Sequence, residues 1–294
     1  MSIAVRSAET APTTGIVLAI LAMLCFASMD AVNKTLIQDF SAVQILWVRF
    51  VVFAIFGMAY AAWRGGRAAF VSHRPGLQVA RSLVLVVEIG IFIVALGSLP
   101  LADAHAVAAV TPLMVTALSV VFLHEKVGVR RWAAIGVGFI GVLIVLRPGL
   151  GVFDPWALLI LLGAFMFAVY QILTRRAADY DRPETSLMYT GVVGCIALTM
   201  IGPFFWEPAG ATDWLLFLAG GLLGLTGHSL LITALSITPA SVIQPFNYSL
   251  LLWATIVGYV IFDHLPDAAT VLGALVVVGS GLYTIHRERV RKIR

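Results

Sequence analysis

Charge is scarce in this chain. Only 12% of its 294 residues are Asp, Glu, Lys or Arg, while 61% are hydrophobic. Soluble domains carry about 25% charged and about 45–50% apolar residues. In water a fold with this excess would expose a large apolar patch, and with lipid as solvent the conflict disappears. Cysteine is scarce too. Cys25 and Cys195 each sit inside an apolar run, with no CxxC and no Cys/His cluster. That pattern argues against a metal or redox centre, and both read as free thiols acting as small hydrophobes. No GxxxxGK[ST] loop occurs, so direct drive by ATP is not expected. The histidines His73, His105, His124, His228, His264 and His286 show no metal-ligand spacing and no nucleophile–base set. An enzyme is therefore not expected, and no cofactor or metal is assigned. The net charge of +4 could point to nucleic acid. The basic residues, however, fall between apolar runs rather than on one face, which makes them topology signals.

What the chain has in abundance is long apolar runs. A helix needs about 20 apolar residues to cross the hydrocarbon, and helices are required because lipid satisfies no exposed backbone polar group. Breaks at Pro, Gly and charge clusters delimit ten candidate spans: 14–36, 43–63, 82–99, 104–123, 132–147, 155–174, 186–205, 213–235, 241–262 and 268–285. The first follows a single arginine, Arg6, and is too long for the core of a secretory leader, so it reads as a retained helix. With the N-terminus in the cytoplasm, the cytoplasmic segments hold Arg6, Arg64, Arg67, Arg74, Arg81, Lys126, Arg130, Arg131, Arg175, Arg176, Arg182, Arg287, Arg289, Arg291, Lys292 and Arg294. Only Lys34, Arg49 and Arg147 fall on the other side, in keeping with the positive-inside rule. Both termini are expected in the cytoplasm.

The chain resembles itself at an offset near 139. Ala95-Leu96-Gly97-Ser98-Leu99-Pro100 parallels Ala234-Leu235-Ser236-Ile237-Thr238-Pro239, and Gly141-Val142 parallels Gly281-Leu282 one residue further on. Five spans is an odd number, so the second copy enters the membrane from the opposite side. The expectation is an all-α integral membrane protein of two inverted five-helix repeats, residues 1–149 and 150–294. Transporters recurrently use this plan, with the substrate near the midplane where the halves meet. A channel-like pore with the same symmetry is the alternative.

Thr111-Pro112-Leu113 through Phe122-Leu123-His124-Glu125-Lys126, then Arg131-Trp132-Ala133-Ala134, Gly138-Phe139-Ile140-Gly141-Val142 and Leu146-Arg147-Pro148-Gly149, resemble the first repeat of the drug/metabolite transporter superfamily, EamA type. Ser28-Met29-Asp30-Ala31 with Lys34, and Trp47-Val48-Arg49-Phe50, are similar to its bacterial members. The second copy departs, with Leu251 where Pro112 aligns, Asp263-His264 near the position of Glu125, and Pro245 deep in the ninth span. The resemblance implies a ten-helix carrier in the bacterial inner membrane, a monomer or weak homo-oligomer. It implies export of amino acids, aromatic or apolar ones included, or import of riboflavin or S-adenosylmethionine. Small multidrug antiporters of the superfamily carry a glutamate in the first helix; here its middle reads Ala22-Met23-Leu24, so their proton exchange is not carried over.

Ionisable residues inside a membrane cost about 2.5–3.5 kcal/mol each on insertion scales and usually face the protein interior. Glu88 in the third span and His228 in the eighth fall within a residue of each other at the repeat offset. Both are expected at the junction of the halves, in substrate contact or proton coupling, or in a structural bond between helices. Asp30 and Lys34 stand one turn apart, so their side chains are expected to meet. With Arg49 they form an outer charged cluster that gates the mouth, binds a zwitterion, or is only a neutralised pair. Asn33, His105, Tyr170, Gln171, Gln244, Asn247 and Tyr248 are candidates for polar contacts, and Phe92, Tyr170, Phe246, Tyr248 and Trp253 for aromatic walls. Gln171 corresponds to Asp30 across the repeat. Pro100, Pro239 and Pro245 are candidate bending points, since proline removes a backbone hydrogen bond. Gly220 and Gly224 form a GxxxG, which favours close helix contact. Alternating access around a midplane site is the expected mechanism.

Overall fold

A computed structural model describes residues 2–122, 129–146 and 154–292, with side chains except at 2–12, 129–131, 146, 241, 245, 281 and 284–292. The Leu123-His124-Glu125-Lys126 motif, Arg147-Pro148-Gly149 and the expected boundary between the halves lie outside the described residues. So do the side chains of Arg6, Pro245 and the basic C-terminal residues. Among the described residues the fold is entirely helical. The helices are α1 Ser2–Leu36, α2 Ala42–Gly65, α3 Pro75–Leu96, α4 Leu101–Ala108, α5 Thr111–Phe122 and α6 Val129–Leu146. They continue with α7 Trp156–Ala177, α8 Pro183–Thr199, α9 Ala211–Ile237, α10 Ala240–Asn247, α11 Ser249–Phe262 and α12 Ala268–Lys292. Seven described stretches are long and apolar enough to cross a membrane, and shorter apolar helices cover Trp132–Val145 and Ala268–Ser280.

Helix starts follow local chemistry. Ser41 caps α2 by accepting from the Gln44 amide, and Pro75 and Pro183 open α3 and α8, where a missing N–H costs nothing. The expected spans 104–123 and 241–262 are each broken in two. Pro112 has no N–H to give the Ala108 carbonyl, and the Thr111 hydroxyl donates to it instead at 2.7 Å. The second break falls at Tyr248, where the Ser249 hydroxyl donates to the Phe246 carbonyl at 2.7 Å. Pro100 and Pro239 sit immediately before α4 and α10, both in the extended conformation. The third helix starts earlier than expected, so Arg81 is not a loop charge. It lies inside α3 and is fully buried.

The packing is antiparallel and close. Gly220, Gly224 and Gly227 of α9 face Val32, Met29 and Phe26 of α1. Gly191 and Gly194 of α8 lie against Phe53 and Phe50 of α2. Gly163 of α7 meets Phe92 of α3. Gly141 of α6 and Gly273 of α12 face each other so tightly that a Cβ on either would stand 2.8 or 2.6 Å from the other's carbonyl oxygen. Each contact joins a helix before residue 147 to one after 153. Exchanging the two sets maps α1–α9 onto α7–α3 and returns α2–α8 and α6–α12 to themselves. End contacts follow the same exchange. Lys34 Nζ, on α1, donates to the Leu96 and Leu99 carbonyls at the end of α3, at 2.9 and 2.7 Å. Arg175 Nη1, on α7, donates to the Leu235 carbonyl at the end of α9, at 3.4 Å. A cation beside the last carbonyls of a helix favours its dipole. Lys34 therefore does not meet Asp30 as expected, because the helix end is the better acceptor.

Candidate functional site

Where α1, α3, α4, α7, α9 and α10 converge, a cavity opens between the two sets of helices. Glu88, His228, Asp30, His105, Phe92, Gln171, Asn247 and Tyr248 all line it. Asn33, Tyr170, Gln244 and Trp253 are not among its lining residues. Asn33 and Gln244 stand behind it as anchors, Tyr170 is fully buried, and Trp253 packs into the apolar core of the α4, α5 and α11 region.

On one side the polar residues are charged. His105 Nε2 stands 3.2 Å from Asp30 Oδ2. Asn33 Nδ2 donates to Asp30 Oδ1 at 3.1 Å, and Asn33 Oδ1 accepts from Arg49 Nη2. Arg49 is fully buried rather than at the outer surface. The expected cluster of Asp30 and Arg49 thus exists, bridged by Asn33 and without Lys34.

On the other side the polar residues are neutral. Gln244 Nε2 donates to Gln171 Oε1 at 3.0 Å, and Asn247 Nδ2 donates to Gln244 Oε1 at 3.1 Å. Gln244 lies at the repeat offset from His105, and Gln171 lies two residues beyond that offset from Asp30. Corresponding positions therefore carry a carboxylate–imidazole pair in one half and a pair of amides in the other.

Glu88 and His228 face the same cavity without a hydrogen bond to each other. His228 is held edge-on by the Phe53 and Tyr170 rings, at 5.8 Å each, with Phe26 at 4.8 Å. Its Nδ1 has no partner among the described residues, and neither do Gln171 Nε2, Asn247 Oδ1 and the Tyr248 hydroxyl. Buried polar atoms are nearly always hydrogen-bonded, so these unmatched atoms of cavity-lining residues are candidates to meet a ligand's polar groups. Phe26 and Phe167, which the sequence did not single out, complete the aromatic wall.

A second polar network also escaped the sequence. The Arg81 guanidinium donates to Gln78 Oε1 at 2.6 Å, to Thr190 Oγ1 at 2.9 Å, to Thr174 Oγ1 at 3.2 Å and to the Ser186 carbonyl. It stacks over Tyr170 at 5.7 Å. Asp181, in the loop before α8, accepts from Gln78 Nε2, the Ser72 hydroxyl and the His73 amide. Burial pushes its carboxyl up, but these donors prevail and hold it below the ordinary carboxylate value. The signal was Pro75. Read as the first residue of a helix, it extends α3 back far enough to bury Arg81.

Apolar helices thus surround a buried polar cavity that lies at the seam of two helix sets. The EamA-like transporter family matches residues 13–147 and 154–285. The chain belongs to that family and is a multi-pass membrane transporter. It is 27% identical to a S-adenosylmethionine uptake transporter of Rickettsia felis, over 94% of both chains. It is also 27% identical to a riboflavin transporter of Vibrio cholerae, again over 94% of each. A pseudopaline exporter of Pseudomonas aeruginosa is 24% identical over 90% of this chain and 93% of its own. A solved crystal structure shares the fold with a TM-score of 0.68 at 19% identity, covering 95% of this chain and 99% of that one.

Proposed function

We propose that this transporter carries a cationic or zwitterionic metabolite with an apolar or aromatic part across the bacterial inner membrane. The observation behind this reading is that Asp30 and Glu88 line a cavity whose described lining includes no Lys or Arg. Arg49, reached through Asn33, balances one of the two carboxylates. A second carboxylate has no such partner, and holding it ionised in the cavity would leave an unbalanced buried charge, which is costly. A solute ammonium or sulfonium group offsets it. The faces of Phe26, Phe92 and Phe167 add attraction for a cation of about 0.5–2 kcal/mol. Amino acids, including aromatic ones, and S-adenosylmethionine share the ammonium group; riboflavin has no fixed cation and fits this side less well.

Mechanistically we take the chain to cross the membrane ten times, counting α4–α5 and α10–α11 as one broken span each. The halves are then inverted repeats over 1–149 and 150–294, with both termini cytoplasmic. The exchange of helix pairs, the paired breaks near residues 109 and 248, and the Lys34 and Arg175 contacts support this arrangement. One half rocks against the other, bending at Pro100, Pro239 and Pro245, in a monomer or weak oligomer.

The test is flux in proteoliposomes with amino acids, S-adenosylmethionine and riboflavin, with and without a pH gradient. Saturable flux of an ammonium-bearing solute, lowered at least about tenfold by Glu88→Gln or Asp30→Asn, is expected. Flux that never saturates, or that both variants leave unchanged, overturns the reading.

A further inference from the structure

The three amides Gln171, Gln244 and Asn247 form a closed set. Gln171 is fully buried and Asn247 is 8% exposed; both face the cavity, and Gln244 stands behind them. Gln171 Oε1 accepts from Gln244 at 3.0 Å and lies 3.4 Å from Asn247 Nδ2. Asn247 Nδ2 also donates to Gln244 Oε1 at 3.1 Å. A primary amide has one oxygen and one NH2 group. With these bonds made, Gln171 keeps its Nε2 donor and Asn247 keeps its Oδ1 acceptor, and neither atom has a partner among the described residues. Turning all three amides over preserves the bonds and leaves an acceptor on Gln171 and a donor on Asn247. In both arrangements two adjacent side chains that line the cavity hold one unmatched donor and one unmatched acceptor.

Such a pair is complementary to a planar ring edge with an acceptor and a donor side by side. We infer that the amide side of the cavity is a subsite for a nitrogen heterocycle bearing this edge, either an aminopyrimidine-type ring or a cyclic imide. Phe167 and Tyr248, which line the same cavity, give the ring apolar surface. The neutral character of this side follows from the same chemistry. At the positions where the other half has Asp30 and His105, an amide reads a hydrogen-bond pattern without adding charge. A solute with a cationic head and a heterocyclic tail would lie across the seam, head toward the carboxylates and ring on the amides. The inference deepens the proposed function and rests on the same cavity.

The test measures binding rather than flux. The purified transporter in detergent is titrated calorimetrically with 9-methyladenine and its 6-dimethylamino analogue, and with lumiflavin and its N3-methyl analogue. Methylation removes the donor from each edge. A site built on hydrogen bonds rejects an analogue that leaves its polar groups unpaired, so at least one parent ring is expected to bind at least about tenfold tighter than its methylated partner. The pair that discriminates identifies the edge. In a Gln171→Leu/Asn247→Leu variant, with unfolding temperature and size-exclusion profile matched to the wild type, discrimination should vanish. A variant that does not fold is replaced by Gln171→Met/Asn247→Ser. Equal affinity of parent and methylated ring for the wild type, or discrimination that persists in the folded variant, overturns the subsite. Loss of ring discrimination with ammonium-dependent flux intact refutes only this inference. Ring discrimination without such flux refutes the charge reading instead.

Discussion

Asp30 Oδ2 and His105 Nε2 stand 3.2 Å apart on one wall of the cavity, at positions equivalent to Gln171 and Gln244, which stand 3.0 Å apart on the other. One geometry thus serves two chemistries: a carboxyl–imidazole pair on one wall and a pair of neutral amides on the other.

Replacing His105 by Gln copies the second half's pairing into the first. The fold should tolerate it, since two amides already occupy the equivalent site. Flux of an ammonium-bearing solute should fall at least about tenfold, since Asp30 loses its imidazole partner. Transport in proteoliposomes beside a thermal unfolding curve separates the two effects. A variant that loses stability in proportion to flux would assign the pair a structural role only.

Lys34→Met should weaken the closure of α1 onto the end of α3. Cations at helix ends contribute typically 0.3–1 kcal/mol, and about 2 kcal/mol when partly buried. The expected result is a small loss of stability and faster labelling of a cysteine placed at Ser98 by a membrane-impermeant reagent from outside. Unchanged labelling counts against a gating role for this contact.

Arg81→Lys should be far more damaging than the preserved charge suggests. Lysine presents a point charge and cannot reproduce the planar fork that reaches Gln78, Thr174, Ser186 and Thr190. Leaving a buried cation poorly paired costs about 3–5 kcal/mol, to be read as a drop in unfolding temperature or in folded yield. A loss below about 1 kcal/mol would mean that the network contributes little.

Asp181→Asn should make stability less dependent on acid. The native carboxyl is held below its ordinary value, so its contribution is complete above about pH 4, the unfolded value, and is lost as the pH falls through the lower native one. Hydrogen bonds to charged groups are worth about 1.5–3 kcal/mol. The variant should be less stable by that order at pH 7, and the gap should narrow under acid. A gap independent of pH would show that the charge is not what the loop uses.

Much of the cavity was legible because polar residues in an apolar span have few places to go. Glu88, His228, Asp30 and Gln171 were singled out in that way, and the structure sets all four on the cavity wall. Lys34 was misread because spacing along α1 puts it near Asp30, while the open carbonyls at the end of α3 belong to a distant stretch of chain. Arg81 was misread because a basic residue beside an apolar run looks like a topology signal. Only the hydroxyls and carbonyl of α7 and α8 turn that edge into an interior. Trp253 was placed on the cavity because an aromatic ring in an apolar helix gives no sign of which neighbour it faces.

Arg81 also has a consequence for how the molecule is assembled. The groups that receive its guanidinium lie at 174, 186 and 190, roughly a hundred residues downstream in the order of synthesis. Until α7 and α8 emerge, the arginine has only Gln78 among these partners to bind. The same cation can therefore orient α3 while the chain is being inserted and be drawn inside once the later helices arrive. The burial of Arg81 can be completed only once Thr174, Ser186 and Thr190 are in place, so α3 settles after α7 and α8.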